Sequence, residues 1–176
     1  MNQLELPVLH WIREHLTCPL LDWLMPAISS LANHGELWIL LAVVLLCFPK
    51  TRRMGLTMGL ALLIGFLTGN LLLKNVVARI RPYDLADVPI LVERLKDFSF
   101  PSGHTLCSFE GAAVVWLYHR RFGVVALVFA GVMAFSRLYL FVHYPTDVLA
   151  GAVMGVGIAL LSYWLVHKLD KKRTLR

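Results

Sequence analysis

The fold class is decided by residues 55–78, GLTMGLALLIGFLTGNLLLKNVVA, a run that carries no charged residue before Lys74. A helix of about 20 apolar residues crosses the hydrocarbon core of a bilayer. This stretch therefore predicts a transmembrane helix. A lysine near its end needs either an aqueous boundary or a polar cavity, because a cation at membrane depth costs about 2.5–3.5 kcal/mol on insertion scales.

The composition of the whole chain agrees with a membrane protein. Hydrophobic residues make up 58% of its 176 positions, and the mean hydropathy is +0.68. The net charge of +6 could indicate a nucleic-acid partner. However, the basic residues lie at the ends of apolar runs, which membrane topology explains better, so no nucleic-acid partner is expected. The length predicts a single domain over residues 1–176.

The apolar pattern recurs along the chain and predicts an all-α bundle of about six transmembrane spans. The expected spans are residues 19–33, 36–49, 55–78, 102–118, 122–142 and 145–167. The first two are short for a crossing, which implies local thinning of the bilayer or partial burial. Residues 3–17 are expected to form an interfacial helix, because Leu9, Ile12 and Leu16 share one face.

The distribution of positive charge predicts the orientation. Basic residues follow the second, fourth and sixth spans: Lys50, Arg52, Arg53, Arg120, Arg121, Lys168, Lys171, Lys172, Arg173 and Arg176. The positive-inside rule makes that side cytoplasmic, together with both termini. The connections at 33–36, 79–101 and 138–145 then lie on the extracytoplasmic side, where three polar clusters are expected to meet.

The first cluster is Lys74 with Arg81-Pro82. Lys74 and Arg81 are seven positions apart, which on a continuous helix is two turns and about 10 Å along one face. Pro82 is expected to end that helix. Two cations on one face could hold a phosphate group, although both could also extend to the interface as membrane anchors.

The second cluster, Pro101-Ser102-Gly103-His104, is expected to open the fourth span. A helix start presents free N–H groups and the positive end of the helix dipole, which together bind anions. Ser102 could add a hydroxyl, Gly103 would allow close approach of a phosphate, and His104 would stand at the rim. The alternative is an ordinary helix cap.

The third cluster is Ser136-Arg137 with His143 and Asp147. Pro145 is expected to start the last helix, which would place Asp147 in its first turn. A carboxylate there can reach back to one ring nitrogen of His143 and leave the other free to attack, as in hydrolase triads. The alternative is a structural His–Asp hydrogen bond.

Taken together, Lys74-x6-Arg81-Pro82, Pro101-Ser102-Gly103-His104 and Ser136-Arg137-x5-His143-x3-Asp147 resemble the three signature motifs of the type 2 phosphatidic acid phosphatase (PAP2) family. Their order and internal spacings agree with the family pattern. The resemblance implies a metal-independent phosphohydrolase without a cofactor. It implies a phosphohistidine on His143, orientation of that residue by Asp147 and protonation of the leaving oxygen by His104. It assigns the phosphate oxygens to Lys74, Arg81, Ser102, Gly103 and Arg137.

A site at the membrane interface suits a lipid phosphate or diphosphate embedded in the bilayer. The short chain is similar to bacterial members of the family, and this resemblance favours undecaprenyl diphosphate in a bacterial cytoplasmic membrane, with phosphatidylglycerophosphate, phosphatidic acid or lipid A as alternatives. A non-catalytic lipid binder or transporter is a different class of function, and the trio His104, His143 and Asp147 argues against it. A His–Asp metal site is disfavoured because the neighbouring cations would repel a metal ion.

For other polar residues the sequence predicts less specific places. Asn70 lies one turn before Lys74 and could face the cavity or pack between helices. Glu110 could line the cavity or bond a neighbouring helix. Tyr144 is expected at the rim, and Asn33 in a solvated loop.

Overall fold

The computed structural model describes residues 2–86 and 88–174, and all regular secondary structure within them is helical, as the sequence predicts. The helices are α1 Asn2–Leu16, α2 Pro19–Ser30, α3 Glu36–Cys47, α4 Arg52–Gly65, α5 Lys74–Val77, α6 Pro82–Ala86, α7 Gly103–Tyr118, α8 Arg120–Tyr139 and α9 Pro145–Thr174. A π-helical segment, Phe66–Leu73, joins α4 to α5, and a short 3₁₀ turn, Asn33–Gly35, precedes α3.

Three helical stretches are long and apolar enough to cross a membrane: Arg52–Ala86, Arg120–Tyr139 and Pro145–Leu169. The outward side chains of these stretches are apolar, and Val125 and Val153 remain about two-thirds exposed. Such surface is costly in water and is expected where lipid covers it. The protein therefore has the character of a membrane protein. The other predicted spans coincide with α2, α3 and α7, which are shorter helices.

Helix α7 is the centre of the bundle and packs against α4, α8 and α9. Its contact with α9 is close because Gly155 has no side chain: a Cβ there would lie 2.7 Å from the carbonyl oxygen of Leu106. Small residues allow this kind of backbone approach between membrane helices. The start of α7 is thereby held firmly against the start of α9, and both helix starts carry residues of the predicted site.

Helix α1 buries one apolar face against the rest of the chain. Leu9 and Ile12 are buried in a cluster with aromatic and aliphatic residues of the turn between α8 and α9. The ring of His10 contacts that of Phe141 edge-on, with centroids 5.2 Å apart. This face of α1 therefore packs on the segment that carries His143.

The prediction of one continuous helix through Lys74 and Arg81 is wrong. Helix α5 ends at Val77, and Ala78 has a left-handed backbone (φ +46°) that closes the helix with an N–H bond to the Lys74 carbonyl. Arg81 cannot continue the helix readily because a residue that precedes proline is disfavoured in the α conformation. Pro82 begins a new helix, α6, as its fixed φ angle allows.

Candidate active site

The structure brings the three sequence clusters to one cavity of about 1100 Å³. Lys74 reaches it from the start of α5, and Arg81 from the turn between α5 and α6. His104 reaches it from the start of α7, Arg137 from the last turn of α8, and His143 from the α8–α9 turn. Gly103 also lines the cavity. Ser102 and Asp147 lie behind the lining and are fully buried.

His143 is enclosed, with 1% of its surface exposed. Its Nε2 lies 3.3 Å from Nη1 of Arg81, and its Nδ1 lies 3.6 Å from Oδ2 of Asp147. Burial, followed by the positive charges of Arg81, Arg137 and Lys74, lowers the pKa of His143 well below its ordinary value. The imidazole is therefore neutral near pH 7 and retains a lone pair that can attack an electrophile.

Asp147 is held by several donors besides its approach to His143. Its Oδ2 accepts hydrogen bonds from the Ser99 hydroxyl at 2.5 Å and from the backbone N–H of Tyr144 at 2.9 Å. Its Oδ1 accepts a hydrogen bond from Nη1 of Arg79 at 2.5 Å. The predicted proximity of Asp147 to His143 is present. At 3.6 Å, however, the two atoms are too far apart for a hydrogen bond.

An acidic side chain lies between the two cations of the first cluster. The Asp97 carboxylate pairs with Nζ of Lys74 and with Nη2 of Arg81, the second at 2.6 Å. Burial alone would raise the pKa of Asp97, but the hydrogen bond from Lys74 and the charges of Lys74 and Arg81 lower it to about 2. Because Asp97 is half exposed whereas both cations are buried, its carboxylate is placed as a removable counter-charge.

Arg81 is oriented by backbone oxygens as well. Its Nε donates to the carbonyl of Asp97 at 2.9 Å, and its Nη1 donates to the carbonyl of Val142 at 2.8 Å. The second of these contacts ties the guanidinium to the residue before His143. The positions of Arg81 and His143 are thereby coupled.

Arg137 is 2% exposed, and its Nη1 donates to the Ser29 hydroxyl of α2. Its Nε–H has no hydrogen-bond partner within the described part of the chain. Buried polar groups are normally paired, so an unpaired guanidinium N–H at a cavity wall is suited to an incoming anion.

The start of α7 carries the remaining predicted residues. Nε2 of His104 lies 3.0 Å from Oδ1 of Asn33, and the Ser102 and Thr105 hydroxyls are 2.9 Å apart. A Cβ on Gly103 would lie 2.8 Å from Oδ1 of Asn70. The side chain of Asn70 therefore packs directly against the backbone of Gly103 at the start of α7. Asn70 lines the cavity. Asn33 contacts His104, which its predicted place in a solvated loop did not include.

Glu110 also lines the cavity, deeper than His104 along α7. It is buried, and its Oε1 has no partner among the described residues. The absence of a side chain at Gly65 makes room for it, since a Cβ there would lie 1.9 Å from Oε1. Tyr144 is buried rather than at a rim, with Arg79 stacked 3.8 Å from its ring centroid.

The sequence reasoning missed several polar partners of the predicted residues: Glu5, Ser29, Arg79, Asp97 and Ser99. Asp97 and Ser99 lie four and two positions before the second motif, and Arg79 lies inside the spacer of the first. Their position next to the motifs was an available signal. Glu5 and Ser29 had none, because more than 70 positions separate each from its arginine partner.

Comparison with known proteins assigns the chain to a family. The PAP2 superfamily model matches residues 51–171. An undecaprenyl-diphosphatase of Sulfolobus acidocaldarius is 34% identical over 136 residues, which are 75% of this chain and just under two thirds (66%) of that protein. The undecaprenyl-diphosphatase BcrC of Bacillus subtilis is 29% identical over 163 residues, which are 93% of this chain and 83% of that protein.

A solved structure agrees in fold over almost the whole chain. The transmembrane PAP2-type phosphatidylglycerolphosphate phosphatase of Bacillus subtilis superposes with a TM-score of 0.69 at 26% identity, covering 97% of this chain and 86% of that one. The family match covers more than half of the present sequence and includes all three motifs. The chain therefore belongs to the PAP2 superfamily and is a lipid phosphatase.

Proposed function

We propose that the chain hydrolyses undecaprenyl diphosphate to the monophosphate by way of a phosphohistidine on His143. The observation that carries this proposal is the placement of His143. Its neutral imidazole has Asp147 on the Nδ1 side and the guanidinium of Arg81 on the Nε2 side. The named activity of two relatives supports the choice of substrate.

In the first chemical step, Nε2 of His143 attacks the terminal phosphorus while the bond from phosphorus to the bridging oxygen breaks. His104, which is protonated at the start of the step, gives its proton to that oxygen and becomes neutral, and lipid monophosphate leaves. Lys74, Arg81 and Arg137 offset the charge that builds on the terminal phosphate oxygens, with Ser102 and Gly103 at the helix start behind them. Fixed cations aimed at developing charge are the main source of rate acceleration in such sites.

In the second step, water attacks the phosphorus and the bond from phosphorus to Nε2 breaks, which releases inorganic phosphate and restores neutral His143. His104, now without its proton, accepts one from the attacking water. Asp147 offsets the positive charge that the ring of His143 carries while the phosphorus is attached. The cations already present supply the electrostatic stabilisation, so the proposed mechanism needs no cofactor.

The shape of the cavity supports a lipid substrate. Apart from the charged end and Glu110, the part of its lining between α3 and α4 is apolar and includes Ile39, Val43, Leu46, Leu62 and Leu63. A prenyl chain could lie along this side while its diphosphate reaches the cations. Phosphatidylglycerophosphate, phosphatidic acid and lipid A remain alternatives, because acyl chains suit the same surface.

The membrane arrangement is part of the proposal. The chain acts as one domain with about six spans in the bacterial cytoplasmic membrane, with α1 in the interface and both termini in the cytoplasm. The active site faces the extracytoplasmic side. The loop charges support this orientation through the positive-inside rule.

The experiment that tests the proposal follows phosphate release and the phosphoenzyme together. Purified protein in detergent should release phosphate from undecaprenyl diphosphate, and rapid acid-free quenching should trap a labelled histidine. The variant His143→Ala should lose both signals while it melts cooperatively. His119→Ala, a histidine between α7 and α8, serves as the matched control.

Steady phosphate release by folded His143→Ala would contradict the covalent mechanism. Faster turnover of an acyl-lipid phosphate, in kcat/KM, would contradict the choice of substrate and leave the mechanism standing. Lipid binding without any phosphate release by the wild-type protein would favour the non-catalytic class.

A further inference from the structure

Helix α1 precedes the part of the chain that the family model matches, yet one of its side chains reaches the machinery of the active site. Glu5 Oε1 pairs with Nη2 of Arg79 at 2.6 Å. The Nη1 atom of the same guanidinium pairs with Oδ1 of Asp147 at 2.5 Å. Arg79 therefore bridges two carboxylates, one on α1 and one beside His143.

A third residue, Thr146, contacts both Glu5 and Arg79. Thr146, next to Asp147, donates its backbone N–H to Oε2 of Glu5 at 2.8 Å. Its hydroxyl accepts from Nη1 of Arg79 at 2.7 Å and lies 2.8 Å from Oε2 of Glu5. Glu5 thus contacts the first turn of α9 directly as well as through Arg79. The pKa of Glu5 is lowered because these hydrogen bonds outweigh the effect of burial, so its carboxylate is ionised.

The plane of Arg79 is fixed from the side. Its guanidinium carbon lies 3.8 Å from the ring centroid of Tyr144, within stacking distance. A planar guanidinium held in this way can present two N–H groups to two carboxylates in a set geometry, which an ammonium group cannot do.

Contacts on two sides fix the position of helix α1. Leu9 and Ile12 are buried against the α8–α9 turn, and Nη1 of Arg13 donates to the carbonyl of Pro89 at 3.0 Å. The helix is therefore attached on one side to the segment that carries His143 and on the other to the connection between α6 and α7. Glu5 is held between these two attachments.

From these contacts we infer that Arg79 and Glu5 are positioning residues for catalysis, and that α1 is thereby a working part of the active site. Arg79 holds the outer oxygen of Asp147, so that Oδ2 stays directed towards Nδ1 of His143. Glu5 holds Arg79. Neither residue touches the phosphate: they act on the rate through the orientation of Asp147. This inference rests on the proposed role of His143 as nucleophile.

The test measures kcat, KM and the single-turnover rate of phosphoenzyme formation in the full-length protein. Arg79→Gln should lower kcat and the phosphoenzyme rate by up to about 100-fold, since a misplacement of about 1 Å in a catalytic group can cost that much. KM should change by less than about threefold, because Arg79 does not bind substrate. Arg79→Lys should fall between the wild type and Arg79→Gln.

Substitutions in α1 make the test specific to the helix. Glu5→Gln should lower kcat in the same direction but less, and Glu5→Gln combined with Arg79→Gln should be no slower than Arg79→Gln alone, because Glu5 acts through Arg79. Glu14→Gln, an exposed residue of the same helix, and Arg121→Gln, an exposed residue of α8, are the matched controls and should keep the wild-type kcat.

The outcomes separate this inference from the proposed mechanism. If wild-type turnover depends on His143 but Glu5→Gln and Arg79→Gln keep its kcat, the inference is wrong and the mechanism stands. A loss explained by a smaller folded fraction, with normal kcat per folded molecule, also overturns the inference, as does a rise in KM at constant kcat. If His143→Ala retains turnover, the proposed mechanism fails first. Should Arg79→Gln not fold, Arg79→Lys and Glu5→Gln decide the question.

Discussion

Replacement of Asp97 by asparagine should strengthen the binding of a phosphate analogue. The Asp97 carboxylate occupies the space between Lys74 and Arg81, two of the cations assigned to the phosphate. An incoming anion must displace it. The side chain is 50% exposed, so each of its two ionic contacts is screened and contributes about 1 kcal/mol or less.

Loss of that competition should improve the binding of orthovanadate by about 1–2 kcal/mol, which is about 5- to 30-fold in Kd. The ligand-free protein should be less stable by a similar amount. Lys74 and Arg81 are 7% and 2% exposed, and buried cations without a counter-charge are unfavourable. Vanadate should therefore raise the Tm of Asp97→Asn more than that of the wild type.

Titration calorimetry in detergent gives the Kd values, and thermal unfolding with and without vanadate gives the Tm shifts. Asp84→Asn is the matched control, since Asp84 is an exposed residue of the neighbouring helix α6 that pairs with Arg94 at 3.4 Å. Weaker vanadate binding by folded Asp97→Asn would refute the reasoning. It would show that Asp97 holds the two cations in place for the phosphate rather than competing with it.

Two further predictions concern Arg137 and the membrane topology. Arg137→Lys should lower kcat by about 10- to 100-fold with a smaller rise in KM, because a lysine cannot donate to Ser29 and to phosphate from two nitrogens at once. Steady-state kinetics at a matched folded fraction measure this. A wild-type kcat would show that Arg137 has a structural role only. In a variant lacking Cys18, Cys47 and Cys107, an impermeant maleimide should label a cysteine at position 96 but not one at position 50 on intact cells, and the reverse pattern would invert the proposed orientation.

The sequence was sufficient for the helical class and for the membrane character. Long apolar runs such as residues 145–167 can satisfy their backbone groups in a bilayer only within a helix or a closed barrel, and their length is that of a helix. The three motifs were sufficient for the family, because their order and spacing are properties of the linear chain. Helix ends next to proline, as at Pro145, could also be predicted, since proline restricts the local backbone.

Tertiary structure decided which side chains support the motif residues. The end of α5 at Val77 moved Arg81 off the predicted helical face, so its guanidinium approaches His143 from a turn. Asp97 became the counter-charge of two buried cations only because the connection after α6 folds back over them. Glu5 reaches Arg79 across 74 positions of sequence. Such contacts depend on how helices pack rather than on any local pattern, and a single sequence contains no period or spacing that encodes them.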